Sequence, residues 1–161
     1  MVQPDDNTLV IDPITGYLRT NPAYGDMYTY NGSQVVTIAV IDTFVQIPGG
    51  ISAGQTRGFT FQSAKQLQCN VAGKYLVNWS LAIHMGSNNQ EVEGCVMVNG
   101  AAQTPTACHT EVINSAKPAA MSGTGILTLA VNDLLQMAVA NHTATNNVTI
   151  DHLTLSALQI A

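Results

Sequence analysis

Four histidines, three cysteines and ten acidic residues are the side chains of this 161-residue chain that could take part in chemistry. Cys108 adjoins His109, and Glu111 follows two residues later, so a thiol nucleophile, a base and an orienting carboxylate occur close together. Adjacent residues of a β-strand point to opposite faces, so Cys108 and His109 would diverge if this segment is a strand. We therefore interpret His109 as an ordinary loop histidine and predict that the chain is not an enzyme.

A pair of glutamates suggests a second chemistry, that of a glycosidase. Glu91 and Glu93 share one face of a predicted strand and lie about 7 Å apart by strand rise. Two carboxylates at that separation flank the scissile bond in many glycosidases. No cleft is evident around this pair, and an exposed charged face explains the two residues better. We predict no catalytic residues.

Metal ligation is the third chemistry that the residue types allow. His84 ends the clearest strand, where three copies around an axis could bind a metal or an anion, but an exposed strand-end histidine is the simpler interpretation. Asp133 is expected to cap backbone N–H groups of a turn. The cysteines are odd in number and match no metal-ligand spacing, so we interpret Cys69, Cys95 and Cys108 as free thiols. The sequence predicts no metal and no cofactor.

The composition limits the partners that the chain could have. Charged residues make up 9% of the chain, against about 25% in an average protein. Such a surface loses its water at low cost and suits burial against other protein copies. The five basic residues are scattered rather than clustered, so we predict no nucleic-acid binding. The acidic N-terminus is unlike a signal peptide and no stretch approaches the roughly 20 apolar residues of a membrane span, which predicts a cytoplasmic origin and no membrane.

Strand signals recur between turn signals from Gly25 onward and predict an all-β sandwich or barrel. The alternation slips near His152 and Leu153, which indicates a bulge. Residues 131–139 could be drawn as a helix, but their turn residues favour a hairpin. The strand candidates are residues 25–30, 35–40, 43–47, 58–61, 65–70, 75–84, 91–98, 125–129, 134–140 and 148–160.

The clearest strand, residues 75–84, has two different faces by the period of two. One face carries large apolar side chains and is predicted to lie in the core; the other is small and mixed, which fits packing against another subunit or a wet surface. The predicted core residues are Tyr75, Val77, Trp79, Leu81 and Ile83, and the opposite face carries Leu76, Asn78, Ser80, Ala82 and His84.

The first 24 residues differ from the rest. They contain turn chemistry around Pro13 and Gly16, and their apolar residues follow no sustained period. We interpret this segment as an arm without a core of its own; a first strand folded back on the domain is an equally supported alternative. The apolar residues of the arm are Leu9, Val10, Ile11, Ile14, Tyr17 and Leu18.

Three segments together resemble the tumour-necrosis-factor and C1q-like jelly rolls. Residues 71–77 look like the family's Gly-x-Tyr entry to a central strand, and residues 125–137 look like its strand, Asp-ending turn and apolar strand. Residues 153–158 are similar to its closing strand, although Leu155 and Ser156 replace the usual aromatic residues, and Asn132 stands where the family usually has Gly.

This resemblance implies an antiparallel jelly-roll β-sandwich over residues 25–161, preceded by a short N-terminal arm over residues 1–24, that assembles as a compact homotrimer. It places Tyr75, Val77, Trp79 and Leu81 at core positions. The residues that we assign to the trimer interface are Leu76, Asn78, Ser80, Ala82, His84 and Leu158.

The chain looks more like the phage proteins with this sandwich than like cytokines, because it is rich in Asn, Thr, Ala and Gly and has a short arm. We predict a homotrimeric decoration or cement protein, located in the virion after assembly in the host cytoplasm, whose arm binds the major capsid protein or another virion protein. The alternative is a receptor- or glycan-binding fibre tip, with residues 86–90 and 141–147 as candidate loops.

Overall fold

The computed structural model describes residues 10–11, 13–16, 18–19 and 21–161, in which two antiparallel sheets pack face to face. The predicted all-β antiparallel sandwich is confirmed. In chain order the elements are β1 (Val10–Ile11), β2 (Leu18–Arg19), β3 (Tyr24–Thr29), β4 (Gln34–Val36), β5 (Val45–Gln46), β6 (Ser52–Arg57), β7 (Phe59–Gln62), β8 (Gln66–Cys69), β9 (Gly73–Met85), β10 (Gln90–Val98), β11 (Ala101–Ala102), a 3-10 helix (Thr104–Thr106), β12 (Cys108–Val112), β13 (Ala119–Leu129), β14 (Leu134–Asn141) and β15 (Val148–Gln159).

The six-stranded sheet has the order β13-β9-β15-β3-β6, and β4 pairs with one end of β15. The seven-stranded sheet has the order β11-β10-β14-β8-β7, with β12 on β10 and β5 on β14. The predicted bulge is confirmed, because the register of β15 on β9 shifts between Ile150 and His152.

The core lies between the two sheets. The face of β9 predicted to be buried is at most 3% exposed at each of its five apolar residues. Two features explain this: the strand spans thirteen residues, and it lies between β13 and β15, so both of its edges are paired. The five residues are Tyr75, Val77, Trp79, Leu81 and Ile83.

The predicted hairpin over residues 131–139 is wrong. β13 pairs with β9 in one sheet, whereas β14 pairs with β10 and β8 in the other. The connecting turn takes the chain from one sheet to the other, with Asn132 in the left-handed region at φ 74° and the Asp133 carboxylate accepting a hydrogen bond from Ala130 N, as expected of a turn aspartate. Crossing buries the apolar faces of both strands in the core, where Leu129 and Leu135 lie.

The arm region contains a small hairpin. β1 pairs with β2, and in the strand pairings of the described residues neither joins either large sheet. The sandwich itself begins at Ala23, which is fully buried and whose backbone bonds to Gln159 at both its N–H and its carbonyl. The division into an arm and a domain stays a prediction.

A close approach of backbone to the only tryptophan of the chain makes Gly123 a sensitive position. A Cβ at Gly123 would lie 2.5 Å from the Thr106 carbonyl oxygen and 2.6 Å from the Trp79 indole nitrogen. We expect Gly123→Ala to lower the free energy of unfolding by about 1–3 kcal/mol, because backbone or a packed ring must shift. Urea unfolding checks this. Gly86→Ala is the control, since nothing lies within 4 Å of its Cβ position; equal effects of the two variants would contradict the prediction.

Candidate functional site

The outer face of the six-stranded sheet carries a row of apolar side chains across four neighbouring strands. In register, Ile126 of β13 lies beside Leu76 of β9, which lies beside Leu158 of β15, which lies beside Tyr24 of β3. Ile126 is 58% exposed, Leu158 45% and Tyr24 36%. At the usual strand spacing the row is about 14 Å long. We call it the apolar row; burying it in an interface would remove apolar surface from water.

The next rows of this face are polar but almost uncharged. Ser80 and Thr154 share a hydrogen bond of 2.7 Å, and the Thr124 hydroxyl donates one of 2.6 Å to Asn78 Oδ1. Asp26 is the acidic group of these rows, and its carboxylate accepts a hydrogen bond from Gln55 N. Because these polar groups already have partners within the chain, covering them costs less than covering unpaired ones.

A shallow hollow interrupts the face between two tyrosines. It has a volume of about 400 Å³ and is lined by Tyr24 and Tyr28 at its ends, with Asp26 and Ser156 in its wall. Tyr24 is held on the other side by Arg57, whose guanidinium lies 5.0 Å from the ring centroid. A hollow with two aromatic walls beside an apolar row suits insertion of a side chain from another molecule.

The six residues predicted for the trimer interface all belong to this outer face, but they do not form one contact. Leu76 and Leu158 are neighbours in the apolar row, and Asn78 and Ser80 lie in the polar rows. His84 is at the far end, where its Nδ1 lies 2.9 Å from Asp151 Oδ1. Ala82 pairs with His152, one step from His84 along the face.

The six residues predicted to anchor the arm are only partly described. Ile11 is 68% exposed and Ile14 92% exposed. The backbones of Val10 and Leu18 lie in β1 and β2, but their side chains are outside the described part of the chain, and so are Leu9 and Tyr17. In the arm, the structure therefore shows two exposed isoleucines, Ile11 and Ile14, on a hairpin that joins neither large sheet.

The candidates for catalysis are separated by the strand geometry. His109 was predicted to lie in a loop, which is wrong: it lies in β12, because β12 pairs with β10 over five residues. Cys108 packs against the core while the His109 side chain is 52% exposed, so the two diverge as expected of a strand.

The three cysteines are free thiols, as predicted, and burial raises the pKa of Cys95 to about 12.

Two residues of the apolar row were missed by the sequence reasoning. Ile126 and Tyr24 each sit at an outward position of a strand, so their exposure was predictable from alternation with Leu127 and Gly25. Their position beside Leu76 and Leu158 depends on the strand register, which joins distant parts of the chain. Within the described residues, no helix is long and apolar enough to cross a membrane.

No protein-family model and no curated protein matches the chain. Solved structures do resemble it. Eiger TNF from S. frugiperda has a TM-score of 0.61 and 16% identity, over 87% of this chain and 94% of that one. Murine APRIL at pH 5.0 has a TM-score of 0.61 and 10% identity, over 86% and 99% of the two chains. PRD1 vertex protein P5 has a TM-score of 0.60 and 10% identity, over 100% and 85%. The chain therefore has the tumour-necrosis-factor-like jelly-roll fold that its three sequence segments predicted.

Proposed function

We propose that this protein is a structural component of a phage virion, a homotrimer that decorates and cements the capsid. The observation that carries the proposal is the outer face of the six-stranded sheet, where an exposed apolar row adjoins polar groups that are paired within the chain. The charged residues around the row are Asp26, Arg57 and Lys74. A contiguous apolar surface with a polar rim is typical of a protein–protein contact. The likeness in fold to a protein named for a vertex supports a place in the virion.

The trimer would bury the apolar row of each chain against a neighbour. Ile126 and Leu158 are about half exposed in the single chain, so burying the remainder of each contributes about 1 kcal/mol. A symmetric trimer has three such interfaces, so this small free energy of burial is gained three times. The same chemistry explains the low charge of the chain, since a buried charge must be paired.

The arm would fasten the trimer to the shell. Ile11 and Ile14 are exposed on a segment outside both sheets, where they can reach another protein without disturbing the sandwich. Each contact is small, but three arms on one trimer bind together and raise the effective affinity. The capsid surface receives added buried area at many sites, which would strengthen the shell.

Removing residues 1–20 tests the arm and the fold separately. We expect the truncated protein to keep the mass of a trimer in light scattering, because the sandwich starts at Ala23, and to lose co-sedimentation with capsids of the phage that encodes it. The double variant Ile11→Ser, Ile14→Ser should weaken co-sedimentation in the same direction. Ile113→Ser is the matched control, since this isoleucine is 67% exposed outside the arm.

Different outcomes reject different parts of the proposal. If the truncated trimer still coats capsids, the arm is not the anchor. If the wild-type protein is a monomer, the trimer is wrong. If it binds in a glycan array or blocks adsorption to host cells, the alternative of a fibre tip is supported over cement, as it would be by tens rather than hundreds of copies per virion.

A further inference from the structure

Three side chains from different parts of the sequence meet on the seven-stranded sheet. Glu93 lies in β10, the strand between β12 and β14, and pairs with His109 of β12. On its other side Glu93 pairs with Ala140 of β14, two residues before His142. Glu93 points away from the core because its neighbour Val92 is fully buried there. The sheet register therefore brings two imidazoles and one carboxylate to one place.

The three ligating atoms form a nearly equilateral triangle. His142 Nε2 lies 3.0 Å from Glu93 Oε2, and His109 Nε2 lies 3.3 Å from the same oxygen. The two Nε2 atoms are 3.3 Å apart. Zn²⁺ binds nitrogen at about 2.0–2.1 Å in a tetrahedron, which sets its ligands about 3.3–3.4 Å apart. We propose that Glu93, His109 and His142 bind a divalent transition-metal ion of the Zn²⁺ type.

The hydrogen bond on the far side of His142 orients it as a ligand. His142 Nδ1 lies 2.6 Å from Asp42 Oδ1, so Nδ1 carries a proton and donates a hydrogen bond to this carboxylate. In the neutral ring, Nε2 then presents a lone pair to the triangle. A carboxylate that holds the distal nitrogen of a histidine is the usual outer partner of a metal ligand.

Lone pairs of Glu93, His109 and His142 converge in this triangle when neither imidazole carries a proton on Nε2, and a positive charge at its centre is then favourable. A proton is the competitor of the metal at this position. Burial lowers the pKa of His142, but the hydrogen bonds to Asp42 and Glu93 outweigh it and leave this pKa raised.

The donor set and the burial indicate which metal fits. Two nitrogens and one oxygen suit Zn²⁺ and its neighbours, whereas Ca²⁺ and Mg²⁺ prefer oxygen ligands throughout. The side chains of Glu93 and His142 are 16% and 22% exposed, and that of His109 is 52% exposed. The site is walled on the sheet side and open on the His109 side, so a water molecule can complete the tetrahedron.

Bound metal would join four segments that are distant in sequence. It would tie β10 to β12, to the connection after β14 and, through His142, to the loop that holds Asp42. By linking these segments, the metal would stabilise the edge of the seven-stranded sheet. The proposal is independent of the trimer proposed above, which would form through the outer face of the six-stranded sheet.

Zinc titration of the full-length protein, without a polyhistidine tag and after treatment with a chelator, tests the site. Isothermal titration calorimetry should give one Zn²⁺ per chain, and Co²⁺ should give the absorption bands of a tetrahedral complex. Glu93→Gln and His142→Ala should abolish both signals. Asp42→Asn should weaken Zn²⁺ binding by about 10–100-fold, the usual effect of losing an outer partner.

Two controls separate this site from other ligands. His84→Ala removes the histidine of another His–Asp pair and should bind Zn²⁺ as the wild type does. Cys108→Ser should also bind normally, which excludes the partly exposed thiol. Circular dichroism checks the fold of each variant; if His142→Ala does not fold, His109→Ala gives the same test at an exposed position. No binding by the wild type, or wild-type binding by Glu93→Gln and a folded histidine variant, would overturn the proposal.

Discussion

Replacing Trp79 by alanine should lower the free energy of unfolding by about 3–5 kcal/mol, the usual cost of removing a large buried side chain. Trp79 is 3% exposed at the centre of β9. Its indole nitrogen donates a hydrogen bond of 2.8 Å to the Thr106 carbonyl, and the backbone of Gly94 and Gly123 approaches the ring closely. The two glycines place backbone rather than side chains against the ring, which limits relaxation into the cavity from those two sides.

The measurement is urea unfolding followed by far-ultraviolet circular dichroism, because Trp79 is the only tryptophan and its removal eliminates the tryptophan fluorescence. Protomer concentration is held constant, since assembly raises the apparent stability of a folded chain. Trp79→Phe keeps most of the ring but leaves the Thr106 carbonyl unpaired, and should cost about 1–3 kcal/mol. Thr145→Ala, at an exposed position in the connection after β14, should change stability by no more than about 0.5 kcal/mol. A loss below 1 kcal/mol in Trp79→Ala, at about the level of a surface change, would contradict the packing described here.

The central strand was predictable because its two faces differ at every step. Large apolar residues from Tyr75 to Ile83 alternate with small or polar ones, and only a strand puts them on one side. The strand β6 gave no such signal. Its six residues, Ser52–Arg57, are small or polar and none is buried, so pairing with β3 rather than hydrophobic alternation makes it a strand.

The path of the chain was less predictable than its strands. The sequence from Leu129 to Leu134 has the turn residues of a hairpin, yet β13 and β14 enter different sheets. A tight turn specifies that the chain reverses but not which sheet receives the next strand. That choice depends on burying both apolar faces in one core, which is a property of the whole domain.

The two candidate sites could not be predicted from the sequence, and the reason is the same for both. Leu76 and Leu158 were assigned to one face by alternation, but the apolar row appears only when the register sets Ile126 and Tyr24 beside them. The proposed metal site contains no short motif at all. Glu93, His109 and His142 are joined through the pairing of β10 with both of its neighbours, so local patterns could not have found them.

Leu158→Lys should convert the proposed trimer to a monomer without unfolding it. Leu158 lies in the middle of the apolar row between Leu76 and Tyr24 and is 45% exposed, so in a single chain the lysine amine can extend into water. In a trimer that covers the row, the same amine would lose its water. Lysine is chosen over glutamate because two cations, Arg57 and Lys74, flank the row, whereas its one acidic neighbour, Asp26, already accepts a hydrogen bond from Gln55 N.

The expected loss is at least about 2 kcal/mol at each interface, which weakens each contact about 30-fold. Three interfaces per trimer compound the effect, so light scattering should give the monomer mass at concentrations where the wild type is trimeric. Ile113→Lys places the same charge at an isoleucine that is 67% exposed and lies on neither sheet, and should leave the trimer intact. If Leu158→Lys stays trimeric while its circular dichroism is unchanged, the subunits meet through another surface, because burying an ammonium group in this apolar row has a desolvation cost that pairing with Asp26 does not remove.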